Sequence, residues 1–185
     1  MKRVPGNGTR PVTDRVKEAL FNIIGVNVRG AMFLDMFGGT GSIGIEAISR
    51  GATRATFLDN GRAAVNTIRS NLSATGFSEQ SEVVKIDALN YLERTPQRSF
   101  DYIYIAPPQF RGLWSAAVYL LDDNLSWLNS GGWAIAQIGP KEYDKLKLKG
   151  LALFDRRRYG NTMLCFYCAE RNREVECLHG TQEDL

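Results

Sequence analysis

From Ala31 to Ala169, short apolar runs alternate with amphipathic stretches, and no other feature limits the possible folds as tightly. AMFLDM (31–36), RATFLD (54–59), SEVVKI (81–86), FDYIYI (100–105) and GWAIAQI (132–138) read as strands. Helical spacing separates them: residues 42–50, a stretch carrying Val65, Ile68 and Leu72 that stops near Gly76, a short one around Leu89 and Leu92, and one carrying Leu113, Ala117 and Leu120. Such alternation predicts right-handed crossovers and a mostly parallel sheet. Two last strands, LALFDRRR (151–158) and TMLCFYCA (162–169), flank Tyr159-Gly160-Asn161 and predict an antiparallel hairpin at one edge. Ahead of the first strand, Thr13 is an N-cap candidate for a helix that buries Val16, Leu20, Ile23 and Ile24 and stops at Gly25. The expected architecture is α/β and doubly wound: a seven-stranded sheet with helices on both faces, one domain over residues 1–169, then a polar tail over 170–185.

The formal charge of +3 is mildly basic and compatible with a nucleic-acid partner. No apolar run reaches the ~18 residues of a membrane helix, and MKRVPGNGTRP has no apolar secretory core. The expectation is a cytoplasmic monomer without membrane attachment. Three cysteines, an odd number, argue against a disulfide framework. Cys165 and Cys168 sit three apart in a predicted strand and so point to opposite faces, a poor chelating geometry. Cys177 and His179 lie in the tail, and no metal site is expected.

In doubly wound sheets ligands bind beyond the carboxyl ends of the strands. The first such loop reads Asp35-Met36-Phe37-Gly38-Gly39-Thr40-Gly41-Ser42-Ile43-Gly44, and residues 39–44 satisfy GxGxxG. Glycines there permit a tight turn and close backbone approach to a ligand. Two ligand classes compete. A dinucleotide would set a pyrophosphate on the helix N-terminus, whereas S-adenosylmethionine carries a sulfonium and an ammonium and has no phosphate. Asp35 would repel the first and attract the second, which disfavours a nicotinamide-dependent oxidoreductase. Asp59 ends the second strand, where an acid accepts hydrogen bonds from ribose hydroxyls in either class. Asp87, followed by Ala88, ends the third; its carboxylate suits an adenine amino group, a helix N-cap, or both.

The fourth strand ends in Ala106-Pro107-Pro108-Gln109-Phe110, where the two prolines stiffen the loop. Many amino-methyltransferases carry Asp or Asn, Pro-Pro and an aromatic at this point. Arg10-Pro11-Val12-Thr13-Asp14-Arg15-Val16-Lys17-Glu18-Ala19-Leu20-Phe21-Asn22 closely resembles the opening helix of the RsmD-type bacterial methylases, which act on guanine N2 of 16S ribosomal RNA. Residues 34–47 and Ser49-Arg50-Gly51-Ala52 resemble that family's cofactor segment, and Arg158-Tyr159-Gly160-Asn161-Thr162 its late hairpin. The family usually opens with a basic β-hairpin that helps hold RNA, and the sequence in hand starts just after it.

The resemblance implies a Rossmann-like class I methyltransferase fold, S-adenosylmethionine as cofactor with S-adenosylhomocysteine as product, and 16S ribosomal RNA or the assembling small subunit as partner. It places Asp35, Phe37, Gly38, Gly39, Thr40, Gly41, Asp59, Asp87 and Ala88 around the cofactor, with Thr13 and Arg15 above it. Ala106 and Gln109 depart from the usual acid or amide and aromatic. The expectation is that the Ala106 or Pro107 carbonyl accepts from the target amine, Gln109 Oε1 offers a second acceptor and Phe110 stacks on the guanine. If the departure abolishes turnover, the same fold would act on another substrate or bind RNA and cofactor alone. Arg156, Arg157 and Arg158, with Arg10 and Arg15, are the candidates for holding phosphates; the triplet could instead be a solvated edge that discourages sheet pairing. Trp114 reads as helix core or as a stacking surface.

Overall fold

A computed structural model of the chain describes residues 1–4, 14–109 and 111–170. Its elements in order are α1 (Asp14–Ile24), β1 (Met32–Asp35), α2 (Ser42–Ser49), β2 (Arg54–Asp59), α3 (Arg62–Thr75), β3 (Ser81–Lys85), α4 (Ala88–Leu92), β4 (Phe100–Ile105), α5 (Leu113–Asp123), β5 (Leu128–Ile138), β6 (Leu151–Tyr159) and β7 (Thr162–Ala169). The seven strands form one sheet in the order β3-β2-β1-β4-β5-β7-β6. β1 to β5 run parallel, and β7 is antiparallel to both β5 and β6. The tail expected over 170–185 lies, beyond Glu170, outside the described residues.

Strand periodicity builds two cores. Phe33, Tyr102, Tyr104, Trp133, Ile135, Leu164 and Phe166 face one side, against Val16, Leu20, Phe21 and Ile24 of α1, Ile45 and Ile48 of α2 and Ile68 of α3. Leu34, Ile103, Ile105, Ala134, Ala136, Cys165 and Tyr167 face the other, against Leu92 of α4 and Trp114, Val118 and Leu121 of α5. Trp114 is therefore core and no stacking surface for a substrate. Cys165 and Cys168 fall in opposite clusters, as period two requires. Cys165 is free and Cys168 is disulfide-bonded, a crosslink that the odd cysteine count does not foreshadow.

β5 begins earlier than the run GWAIAQI suggests, because Ser130-Gly131-Gly132 is a bulge and not a break. Gly131 takes φ +74, and a Cβ on Gly132 would stand 2.9 Å from the Phe100 carbonyl oxygen. At the far edge, Asp122 of α5 is buried and accepts from the backbone N–H groups of Lys149, Gly150 and Leu151 at 2.6–2.8 Å, which docks the start of β6. β6 runs in the same direction as β5, so its carboxyl end and the Tyr159–Thr162 turn share a rim with the carboxyl ends of β1 and β4.

The last glycine of the loop motif has a packing cause. A Cβ on Gly44 would lie 2.3 Å from Phe57 Cε1, and the Phe57 ring is fully buried. Gly44→Ala should therefore lower stability by about 1–3 kcal/mol, the usual cost of overpacking. Urea denaturation measures this; a midpoint equal to that of the unaltered chain would show that α2 does not need this close approach to β2.

Candidate active site

The glycine loop after β1 is pinned to the end of β2. Gly38 N–H donates to the Leu58 carbonyl at 2.8 Å and Gly39 N–H to Asp59 Oδ2 at 3.0 Å. Gly39 and Gly41 take φ +53 and +79, a region costly for any residue with a Cβ. On the other side Met36 N–H donates to the Tyr104 carbonyl at 3.0 Å, so the loop springs from the seam between β1 and β4.

Asp35 ends β1 and is 2% exposed. Its Oδ2 accepts, at a long 3.4 Å, from Gly44 N–H in the first turn of α2, where the helix dipole favours negative charge. Burial outweighs that help and, with the nearby Asp59 charge, pushes the carboxyl up to about 7. Asp59 Oδ1 accepts from Gly61 N–H at 2.8 Å while Oδ2 holds Gly39. Each oxygen of a carboxylate has about two acceptor sites, so Asp59 keeps one per oxygen for hydroxyl donors. Asp87 is exposed and caps α4, Oδ1 accepting from Leu89 and Asn90 N–H at 2.9 and 3.2 Å. Its other oxygen takes no part in the cap. Ala88 turns its side chain into the core beneath. Phe37 is half-buried against the cluster below the loop.

Thr40 is tied down by a residue that no sequence pattern marked. Asn71 of α3, 1% exposed, donates from Nδ2 to the Thr40 carbonyl at 2.9 Å and to the Lys2 carbonyl at 3.0 Å, while its Oδ1 accepts from Lys2 N–H at 2.7 Å. A buried amide on α3 thus clamps both the glycine loop and the amino-terminal segment.

The Ala106-Pro107-Pro108 loop leaves β4 beside this seam. Ala106 is half-buried, and Gln109 is exposed with its amide against Gly139, where a glycine Cβ would lie 3.4 Å from Nε2. Among the described residues the clearest side-chain pair at the seam is again one the sequence hid: Tyr104 O–H donates to Gln137 Oε1, from the ends of β4 and β5. Thr13, Arg10 and Phe110 lie outside the described residues. Arg15 is exposed near the start of α1, whose Lys17 reaches Glu46 of α2 at 3.7 Å.

The arginine triplet is not one patch. Arg156 and Arg158 sit opposite Cys165 and Met163, on the α4–α5 side of the sheet, and Arg157 sits opposite Leu164 on the α1–α3 side. Arg156 stacks on Tyr143 at 4.4 Å, Arg157 pairs with Asp155 at 2.9 Å, and Arg158 donates to the Gly160 carbonyl at 3.0 Å. Arg158 is the member nearest the rim.

Residues 1–168 match the protein family described as Conserved hypothetical protein 95. The chain is 34% identical over 163 residues to ribosomal RNA small subunit methyltransferase D of Haemophilus influenzae, covering 83% of this chain and 84% of that one. It superimposes on the solved structure described as "Putative methyltransferase yhhF from Escherichia coli" with a TM-score of 0.76 and 28% identity, over 91% and 98% of the two chains. An RNA methyltransferase of Salinibacter ruber, solved with S-adenosyl-L-homocysteine, has the same fold at a TM-score of 0.66 and 13% identity, over 87% and 95%.

The raised Asp35 carboxyl sets a pH dependence. The folded chain holds a proton that the unfolded chain releases above about pH 4. The stability linked to that proton is complete below about pH 4 and is lost as pH rises through about 7. Asp35→Asn, neutral throughout, should leave stability near pH 3 almost unchanged and raise it by a few kcal/mol near pH 8. Parallel stability–pH curves for the two chains would show that this carboxyl carries no such linkage.

Proposed function

Since the chain belongs to the family described as Conserved hypothetical protein 95, the RsmD-type ribosomal RNA methyltransferases, we propose that it transfers a methyl group from S-adenosylmethionine to the exocyclic N2 of a guanine in 16S ribosomal RNA. One observation supports this most: the glycine loop stands between the carboxylates of Asp35 and Asp59, and residues 35–44 contain no Lys or Arg. Such a donor set fits a cationic ligand with ribose hydroxyls and opposes a pyrophosphate.

In this reading Asp35 faces the cationic amino-acid end, Phe37 to Gly41 enclose it, and Asp59 takes the ribose hydroxyls. Asp87 and Ala88 border the adenine, and Thr13 and Arg15 cover the site. The cofactor supplies an electrophilic methyl on a positively charged sulfur; the amine lone pair takes it, the carbon–sulfur electrons return to sulfur, and one proton leaves the nitrogen. Methyl transfer of this kind depends on in-line positioning. The Pro107-Pro108 pair holds the Ala106 and Pro107 carbonyls as acceptors for the amine, Gln109 offers a second acceptor and Phe110 stacks on the base. The guanine must be unpaired or flipped to reach this rim. Arg158, with Arg10, Arg15, Arg156 and Arg157 around the flanks, meets the phosphates. The protein then works as a cytoplasmic monomer on the assembling small subunit.

Ala106, without a side-chain acceptor, favours a second reading: cofactor and RNA are bound but not turned over. Labelled methyl transfer to undermethylated 30S particles and to naked 16S RNA separates the two. The expected result is label in guanine, with RNA affinity falling as salt rises; cofactor binding without label would establish the second reading, and binding of NAD in its place would end both. In the same assay Gln109→Ala and Phe110→Ala should each slow turnover about tenfold or more. Full turnover in both would remove these two side chains from the mechanism.

A further inference from the structure

Ile105 of β4 pairs in register with Ala136 of β5, so the next residues, Ala106 and Gln137, emerge side by side at the rim. Tyr104 and Ile135 belong to the α1–α3 face of the sheet, and two residues on, Ala106 and Gln137 return to that face. Ala106 ends at a methyl group, half-buried against the core, and brings no polar atom of its own to the stiff Pro107-Pro108 loop. Gln137, half-buried, carries a primary amide on the same face, one position across from Ala106.

The amide is held from below. Tyr104 is buried, and its hydroxyl donates to Gln137 Oε1; burial, together with the Asp35 charge, keeps that hydroxyl protonated and so a donor. Among the described residues this is the one hydrogen bond that the Gln137 side chain makes. One acceptor site on Oε1 and both N–H groups of Nε2 remain available. The neighbouring loop offers carbonyls only, since proline has no N–H and alanine no polar side chain. Gln109, the other amide nearby, lies over Gly139 at the outer end of the loop.

We propose that Gln137 is a further substrate-binding residue of the methyl-transfer site, and that Tyr104 is its positioning residue. Gln137 Oε1 accepts one N–H of the target amine, in place of the Gln109 acceptor and alongside the Ala106 or Pro107 carbonyl on the other, and Nε2 donates to the unprotonated ring nitrogen beside it. An amino group next to such a nitrogen presents a donor beside an acceptor, the pattern that a primary amide matches with both its atoms. The substrate class is thus a nucleobase with an exocyclic amine, and a base with an oxo group there meets oxygen against oxygen. The amide is too weakly basic to keep a proton, so the one released on methylation passes to water. The inference rests on the methyltransferase reading of this site and adds the side chain that orients the nitrogen.

The test uses the full chain, labelled cofactor and undermethylated 30S particles. Gln137→Met keeps length and loses both polar atoms; kcat should fall about a hundredfold, as for a misplaced reactant, with cofactor affinity and thermal midpoint retained. Gln137→Glu, which keeps an acceptor oxygen, should lose less. Tyr104→Phe frees the amide and should cost about tenfold in kcat. Ala106→Asn placed in the Gln137→Met chain supplies an acceptor from the adjacent strand and should recover tenfold or more. Unchanged kcat in Gln137→Met overturns the proposal. So does a loss that neither Glu at 137 nor Asn at 106 relieves and that comes with a lowered thermal midpoint, since packing alone would give that. If the unaltered chain binds cofactor but methylates no RNA, the methyltransferase reading fails and this inference fails with it; if only the Gln137 variants behave otherwise than expected, the reading stands and Gln137 alone is removed.

Discussion

A carboxylate buried where a chain would rather keep a neutral group organises this structure. Asp35 ends β1 beneath the first turn of α2, almost without solvent contact; the Gly44 N–H stands 3.4 Å from its Oδ2, and the help of that group and of the Phe37 N–H is outweighed by burial. Water would solvate that group far better. What holds it in place is the pair of ladders on either side, β1 with β2 and β1 with β4, together with the tight approach of α2 to β2 that leaves no room for a Cβ on Gly44. Desolvation of an acid concentrated at one strand end, with sound packing elsewhere, marks a site prepared for a ligand that supplies the missing partner. A positive charge in the crevice would return the electrostatic energy that folding forgoes there.

Much of this was legible from local patterns, because the decisive signals are short-range. Period-two runs located all seven strands, and Gly25 and Gly76 marked real stops. Asp35, Asp59 and Asp87 stand at successive strand ends because a parallel sheet puts equivalent ends on one rim. Where local reading failed, a tertiary contact had overridden it. The fifth strand, read from sequence as 132–138, in fact begins at Leu128 and runs through Ser130-Gly131-Gly132, where a Cβ on Gly132 would stand 2.9 Å from the Phe100 carbonyl oxygen. The arginine triplet looks like one basic patch, yet strand alternation divides it between two faces.

The long-range polar pairs were beyond reach for a different reason. Asn71 is one polar residue on an amphipathic helix, and nothing in its neighbourhood announces that it holds Thr40, 31 residues away, and Lys2, 69 residues away. Tyr104 reads as a core aromatic, which it is; its hydroxyl becomes informative only once β5 is known to lie beside β4. A buried hydroxyl or amide has to find a partner, but sequence does not say which.

The charge balance of this rim suits an uncharged side chain at residue 106 with a neutral amide beside it at 137. Asp35 stands in register with Tyr104, so a side chain at residue 106 begins two residues along an adjacent strand, roughly 8 Å away by strand geometry. A carboxylate there would raise the cost of ionising Asp35 by about 2 kcal/mol at an effective dielectric of about 20, on top of the burial and the Asp59 charge that already push it to about 7. Asp35 would then stay protonated near neutrality and lose its attraction for a cation. Alanine at 106 with a neutral amide at 137 keeps an acceptor at the reacting nitrogen and leaves the negative charge on Asp35 for the ligand that needs it.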